Sequence, residues 1–221
     1  MEKIKANGRI YDSIKQIDFI DIGASKGGSY KNIKEKFDFV SGLAIDIDPR
    51  KIKVALENNI PAICLDATNL CIFNDNACKL ISIVHTLEHL PDTNVIEGVL
   101  KESIRVASDT IYISGPMYYL DYLKPLGFQF FWSHWKGHTC LIEPNEIIEI
   151  MQKLGQTKYQ LNFKEKHKIK NSADPSIHPI NGKIDRLAYD SNIDPPKNHN
   201  IIFNKDIYKE FELIFDIKEI S

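Results

Sequence analysis

FIDIGASKGG, residues 19–28, decides how the first half of this chain is read. A short apolar run ends in Asp21-Ile22-Gly23. Small residues follow, and then a helical pattern sets Tyr30, Ile33 and Phe37 on one face. A strand that turns straight into a helix offers the free N–H groups of the helix start to a polar ligand. Glycine in the turn lets the backbone approach that ligand closely. A dinucleotide fingerprint would read G-x-G-x-x-G. Here Ser25 holds the place of the middle glycine, which weakens a nicotinamide reading.

The pattern repeats outward from this stretch. Residues 39–48 (FVSGLAIDID) read as the next strand, and Pro49 opens the helical segment 49–59 at a favoured first position. Residues 61–67 (PAICLDA) make a short strand. Residues 79–85 (KLISIVH) form a continuous apolar run of the kind buried on both faces. A helix over 94–107 and a strand over 110–115 follow. This alternation predicts an α/β fold with a mostly parallel sheet and helices on both faces. After it come a helix over 144–155, stopped at Gly155, and two strand-like stretches, 158–169 and 200–218. Residues 171–199 lie between them, polar, rich in Pro and Asn and too long for an ordinary hairpin loop. They are expected to form a substrate-side insertion or lid on a single domain of 1–221.

Composition narrows the function classes. The chain has 221 residues, 43% hydrophobic and 26% charged, with a formal net charge of −2. A dedicated nucleic-acid binder would show a basic surplus, so no nucleic-acid partner is expected. No apolar run reaches the roughly 18 residues that span a bilayer. The opening residues carry no apolar signal core, and the four cysteines form no CxxC pair. A cytoplasmic protein with reduced thiols is the expectation.

Two carboxylates follow the glycine loop at telling places. Asp46 ends the second strand about 20 residues on, where a carboxylate can accept both ribose hydroxyls. Asp66 ends the third, where it could take the exocyclic amine of an adenine. With these residues in order, the chain resembles the class I S-adenosylmethionine-dependent methyltransferases. The matching segments are Asp21 to Gly27, Gly42 to Pro49, Leu65-Asp66-Ala67 and residues 83–92, IVHTLEHLPD.

That resemblance implies a Rossmann-like sheet of seven strands closed by an antiparallel C-terminal pair. It implies S-adenosyl-L-methionine as cofactor and S-adenosyl-L-homocysteine as product. It also implies roles. Asp21, Gly23 and Gly27, with Ala24 and Ser25, would form the pocket for the methionine part. Asp46, with Ile47 beside it, would hold the ribose, and Asp66 and Ala67 the adenine. His85 would face the gap between cofactor and acceptor.

Methyl transfer from a sulfonium needs alignment and exclusion of water. It needs a base only where the acceptor carries a proton that must leave. A sugar hydroxyl would use one, and histidine serves near neutral pH. His85 and His89 flank Glu88 at the end of the fourth strand. His134 and His138 fall in residues 130–139, FFWSHWKGHT, which hold both tryptophans and follow the fifth strand. Loops leaving the strand ends build the ligand crevice of such a sheet. The expected catalytic candidates are therefore His85, His134 and His138. Tyr118, His89, Trp135 and Arg186 are the expected acceptor contacts. His134 and His138 have no evident third ligand, so no metal is expected.

The expected acceptor is a small molecule or glycan precursor: a sugar, a sugar nucleotide or a phosphorylated metabolite, methylated on O or N. A nucleic-acid methyltransferase and a catalytically silent nucleoside-binding module are the alternatives.

Overall fold

The computed structural model describes residues 3–6, 9–12, 17–182 and 189–217. The chain opens with a hairpin of β1 (Lys3–Ala6) and β2 (Arg9–Asp12). The central sheet starts with β3 (Ile17–Ile22), followed by α1 (Gly28–Lys36), β4 (Gly42–Asp46), α2 (Pro49–Glu57) and β5 (Ala62–Cys64). Then come β6 (Cys78–Val84), α3 (Thr93–Val106) and β7 (Ala107–Pro116). The second half carries α4 (Leu120–Leu123), β8 (Phe128–Phe130), α5 (Pro144–Lys153), β9 (Tyr159–Phe163), β10 (Lys168–Asn171), β11 (Ile177–Pro179), β12 (Ile202–Tyr208) and β13 (Glu210–Asp216).

Seven strands join in the order β5-β4-β3-β6-β7-β13-β9. The first five run parallel, and β13 lies antiparallel between β7 and β9. This is the expected α/β sheet with its antiparallel closing pair. The strand order reverses between β3 and β6, and ligands of such sheets bind above that reversal, at the carboxyl ends of the strands.

Local chemistry sets the elements. Pro49 opens α2 while the Asp48 side chain accepts the Arg50 N–H. Asp92 accepts the Asn94 and Val95 N–H groups at the start of α3. Ile81 and Ile83 of β6 are fully buried in the main core, and Leu80, on the opposite face, packs into the second core with Phe19 and Tyr30. A strand covered on both faces has no polar alternation to show.

The second half departs from the sequence expectation. Residues 200–218 were expected to form one strand, but they break at Lys209 into β12 and β13. Residues 158–169 likewise split into β9, a tight turn and the start of β10. The reason is that the halves serve different cores. Phe211, Leu213 and Phe215 of β13 face the main core. Phe203 and Ile207 of β12 pack with Leu123, Phe128, Phe130, Ile169 and Ile177 in a separate cluster. Within the 171–199 segment, β11 pairs antiparallel with β8, which leads into residues 130–139. Lys197 ties the segment further, donating to the Asp174 and Ile177 carbonyls. Of the acceptor contacts expected here, Arg186 lies outside the described residues.

Candidate active site

A cavity of about 730 Å³ opens above the strand reversal. Its wall is built in chain order from the four strand ends: Gly23 and Ser25 after β3, Asp46 and Ile47 at β4, Leu65 to Thr68 after β5, and His85, Thr86 and His89 after β6. Val95 and Val99 of α3 add apolar wall.

The first loop is rigidly determined. Gly23 takes φ +69°, and a Cβ there would fall 2.4 Å from the Thr86 side chain. Gly27 takes φ +91° and begins α1 with no side-chain cap. Ser25, standing where a glycine fingerprint would have Gly, itself adopts the left-handed conformation at φ 52°. The loop thus follows a glycine-like path in spite of the serine, at a cost of about 1–2 kcal/mol.

Asp46 is nearly buried and already organised. Its Oδ2 accepts the Ser25 N–H at 2.9 Å and its Oδ1 the Asp48 N–H at 2.9 Å. The Lys51 ammonium stands 3.7 Å from the same carboxylate. Each carboxylate oxygen retains capacity for another donor. Ile47 lies at the cavity with 69% of its surface exposed. Asp66 uses Oδ1 to accept both the N–H and hydroxyl of Thr68, and Ala67 lies beside it on the wall.

Asp21, Ala24 and Gly27 do not line this cavity; they stand behind the loop. Asp21 is fully buried and accepts hydroxyl hydrogen bonds from Ser29 at 2.6 Å and Ser82 at 2.7 Å. It ties the first turn of α1 to β6. Burial pushes its carboxyl up to about 6 despite those two hydrogen bonds.

A cluster of histidine, glutamate and aromatic side chains is built at the end of β6. His85 also sits in the left-handed region, at φ 49°, and lines the cavity. Strain of this kind persists where surrounding structure over-determines it. Its Nδ1 meets Glu88 Oε1 at 3.2 Å, and its Nε2 lies 3.7 Å from Glu210 Oε1, beyond hydrogen-bond reach. Burial, the largest influence, favours the neutral imidazole. The hydrogen bond and charge of Glu88, with the charge of Glu210, outweigh it and raise the pKa. Glu88, which the sequence shows flanked by His85 and His89 and to which it assigns no role, is 2% exposed.

Residues 137–140 are stitched onto the turn holding Glu88 and His89. His89 Nδ1 bonds the Gly137 carbonyl at 2.6 Å, Thr139 Oγ donates to the Leu90 carbonyl, and the Cys140 N–H donates to the Glu88 carbonyl. The rings of His89 and His138 lie 5.1 Å apart, with Trp135 5.1 Å from His138. Tyr118, fully buried, meets His138 Nδ1 through its hydroxyl at 3.2 Å. Burial holds the His138 imidazole below its usual pKa.

The structure therefore brings together His85, His89, His138, Tyr118 and Trp135. His134 is exposed at the end of a short turn, outside this ring cluster. Trp132 faces away from it, stacked 4.3 Å from Phe130 and donating Nε1–H to the Met117 carbonyl.

Comparison with known proteins agrees with this geometry. A family model described as a methyltransferase domain matches residues 20–110. No curated protein matches the sequence. Among solved structures, an Archaeoglobus fulgidus SAM-dependent methyltransferase shares 20% identity at a TM-score of 0.59, over 92% of this chain and 87% of its own. A Thermotoga maritima SAM-dependent methyltransferase, described as a possible histamine N-methyltransferase, shares 14% at 0.56, over 92% and 83%. The magnesium protoporphyrin IX methyltransferase of Synechocystis, solved with bound SAH, shares 12% at 0.52, over 93% and 75%.

Proposed function

We propose that this chain is a class I S-adenosylmethionine-dependent methyltransferase and that it methylates a hydroxyl oxygen of a small polar acceptor, of sugar or sugar-nucleotide type. The residues present fit the cofactor. Asp46, fixed by two backbone N–H groups, would take the ribose hydroxyls. Ile47, Leu65, Val95 and Val99 would cover the adenine faces, with Asp66 and Ala67 at its polar edge. The Gly23–Ser25 backbone would line the methionine part, a path that a side chain at Gly23 would block. The cofactor supplies a methyl group already activated on a sulfonium.

The observation that carries the acceptor reading is His85. It lines the cavity, and its Nδ1 is held by a buried carboxylate, so Nε2 is the nitrogen left to take a proton. In the proposed step the hydroxyl proton passes to His85. His85 would hold that proton while the methyl group passed to the acceptor oxygen, with Glu88 keeping the imidazole oriented. Trp135, 47% exposed with the His138 ring beside it, offers an aromatic wall suited to a sugar ring, whereas Tyr118, expected as an acceptor contact, is fully buried and instead holds His138 through its hydroxyl.

Labelled S-adenosylmethionine incubated with a panel of sugars, sugar nucleotides, amines and carboxylates tests this. Transfer to hydroxyl acceptors, lost in His85→Ala with S-adenosylhomocysteine affinity retained, is the expected result. Transfer confined to amines or carboxylates would overturn it.

A further inference from the structure

Glu88, His89 and His138 each place one ligand atom within 4.8 Å of the others, the one such trio found among the described residues. We infer that this trio is a binding site for a divalent first-row transition ion, at the acceptor end of the cavity. The sequence pairs His134 with His138 and shows no evident third ligand, so no metal is expected from it. The structure supplies two ligands from the β6 turn instead.

Three features single this cluster out from ordinary ring packing. First, both imidazoles are held through Nδ1, by the Gly137 carbonyl at 2.6 Å and by the Tyr118 hydroxyl at 3.2 Å. This is the outer-shell support that fixes a ligating histidine, and it leaves Nε2 for the ion on both rings. Second, Glu88 is 2% exposed, and a carboxylate so buried calls for cationic partners. His85 occupies one of its oxygens at 3.2 Å, and the other remains for an ion. Third, the backbone holds the ligands in place: Cys140 N–H to the Glu88 carbonyl and Thr139 Oγ to the Leu90 carbonyl clamp the His138 loop on the His89 turn.

Two imidazoles and one carboxylate suit Mn²⁺, Fe²⁺, Co²⁺ or Zn²⁺, and three protein ligands leave positions open for water or an acceptor oxygen. Metal–nitrogen bonds of about 2.1 Å set ligand atoms about 3.4 Å apart in a tetrahedral site, so the trio closes on the ion by small side-chain rotations. His89 also lines the cofactor cavity, so an ion bound to it stands where the acceptor enters. There it would orient an acceptor hydroxyl and favour its ionised form. The binding site stands on its own geometry; its use in catalysis rests on the hydroxyl reading above.

Tag-free protein stripped with a chelator is titrated with Co²⁺, followed by calorimetry and visible absorption. S-adenosylhomocysteine affinity is measured on the same samples. One equivalent of Co²⁺ is expected per chain. Glu88→Gln, His89→Ala and His138→Ala are each expected to weaken it at least about tenfold while cofactor affinity is kept. His134→Ala, altering an exposed histidine outside the cluster, should leave Co²⁺ binding unchanged. No stoichiometric uptake, or uptake that survives the triple variant, overturns the site. So does equal loss in His134→Ala. Co²⁺ uptake without S-adenosylhomocysteine binding would overturn the methyltransferase reading and leave the ion site standing.

Discussion

The Ser25 backbone N–H reaches the buried carboxylate of Asp46 at 2.9 Å, joining the glycine loop after β3 to the end of β4. One side chain thus organises two walls of the cavity before any ligand binds. Asp46→Ala removes the acceptor for Ser25 and Asp48 together with the proposed ribose contact. Hydrogen bonds to charged groups contribute about 1.5–3 kcal/mol, so S-adenosylhomocysteine affinity should fall about 10- to 100-fold by calorimetry. Undiminished affinity would place the nucleoside elsewhere.

Ser25 pays a conformational cost that glycine would not. Ser25→Gly should raise unfolding stability by about 0.5–1 kcal/mol, since glycine gives back part of the gain as unfolded-chain entropy. Denaturant titration reads this directly. A loss of stability would show that the serine side chain makes contacts that outweigh the strain.

Asp21 gives a pH signature. Its folded carboxyl titrates near 6 against an ordinary value of 3.8, raised by burial. The folded state therefore holds this proton where the unfolded chain has lost it. The resulting stability is full below about pH 4 and is lost as pH rises through 6. Relative to Asp21→Asn, the wild-type protein should lose up to about 3 kcal/mol between pH 4 and 7. Parallel denaturant titrations across that range measure the difference. A difference that stays constant with pH, or a wild-type protein that gains stability relative to the variant as pH rises, would show that the carboxyl is ionised throughout.

Glu143 fixes the segment carrying Tyr118. Its carboxylate accepts the backbone N–H groups of both Tyr118 and Tyr119, and Tyr119 sits at φ 48°. Glu143→Ala leaves two donors without this partner and should destabilise the protein by about 1–3 kcal/mol, whereas Glu143→Gln keeps an acceptor oxygen and recovers part of it. Thermal unfolding of the two variants separates them. Equal loss in both would mean that charge, rather than hydrogen bonding, holds the turn.

The cavity wall built from the strand ends was legible because it is written locally. A strand, a glycine turn and a carboxylate at each of the next two strand ends are short-range features. Parallel order then places Gly23, Ser25, Asp46, Asp66, Ala67 and His85 on one cavity wall. Periodicity alone gave the α/β class, since apolar runs such as Leu80 to Val84 specify strands buried on both faces.

The tertiary structure alone decided the rest. Nothing local distinguishes Asp21, which lies behind the loop, from Asp46, which faces the cavity; burial by β6 and α1 separates them. The break at Lys209 carries no proline or glycine to mark it in the sequence, and the two halves are told apart by their partners, β10 and β7. Most of all, Glu88 and His138 are brought together by loop hydrogen bonds that close a long stretch of chain. Residue types and spacing chose the fold and the order of residues along the cavity wall, because those depend on short-range periodicity. The acceptor end depends on which distant loops pack together, and that was settled only when the chain closed on itself.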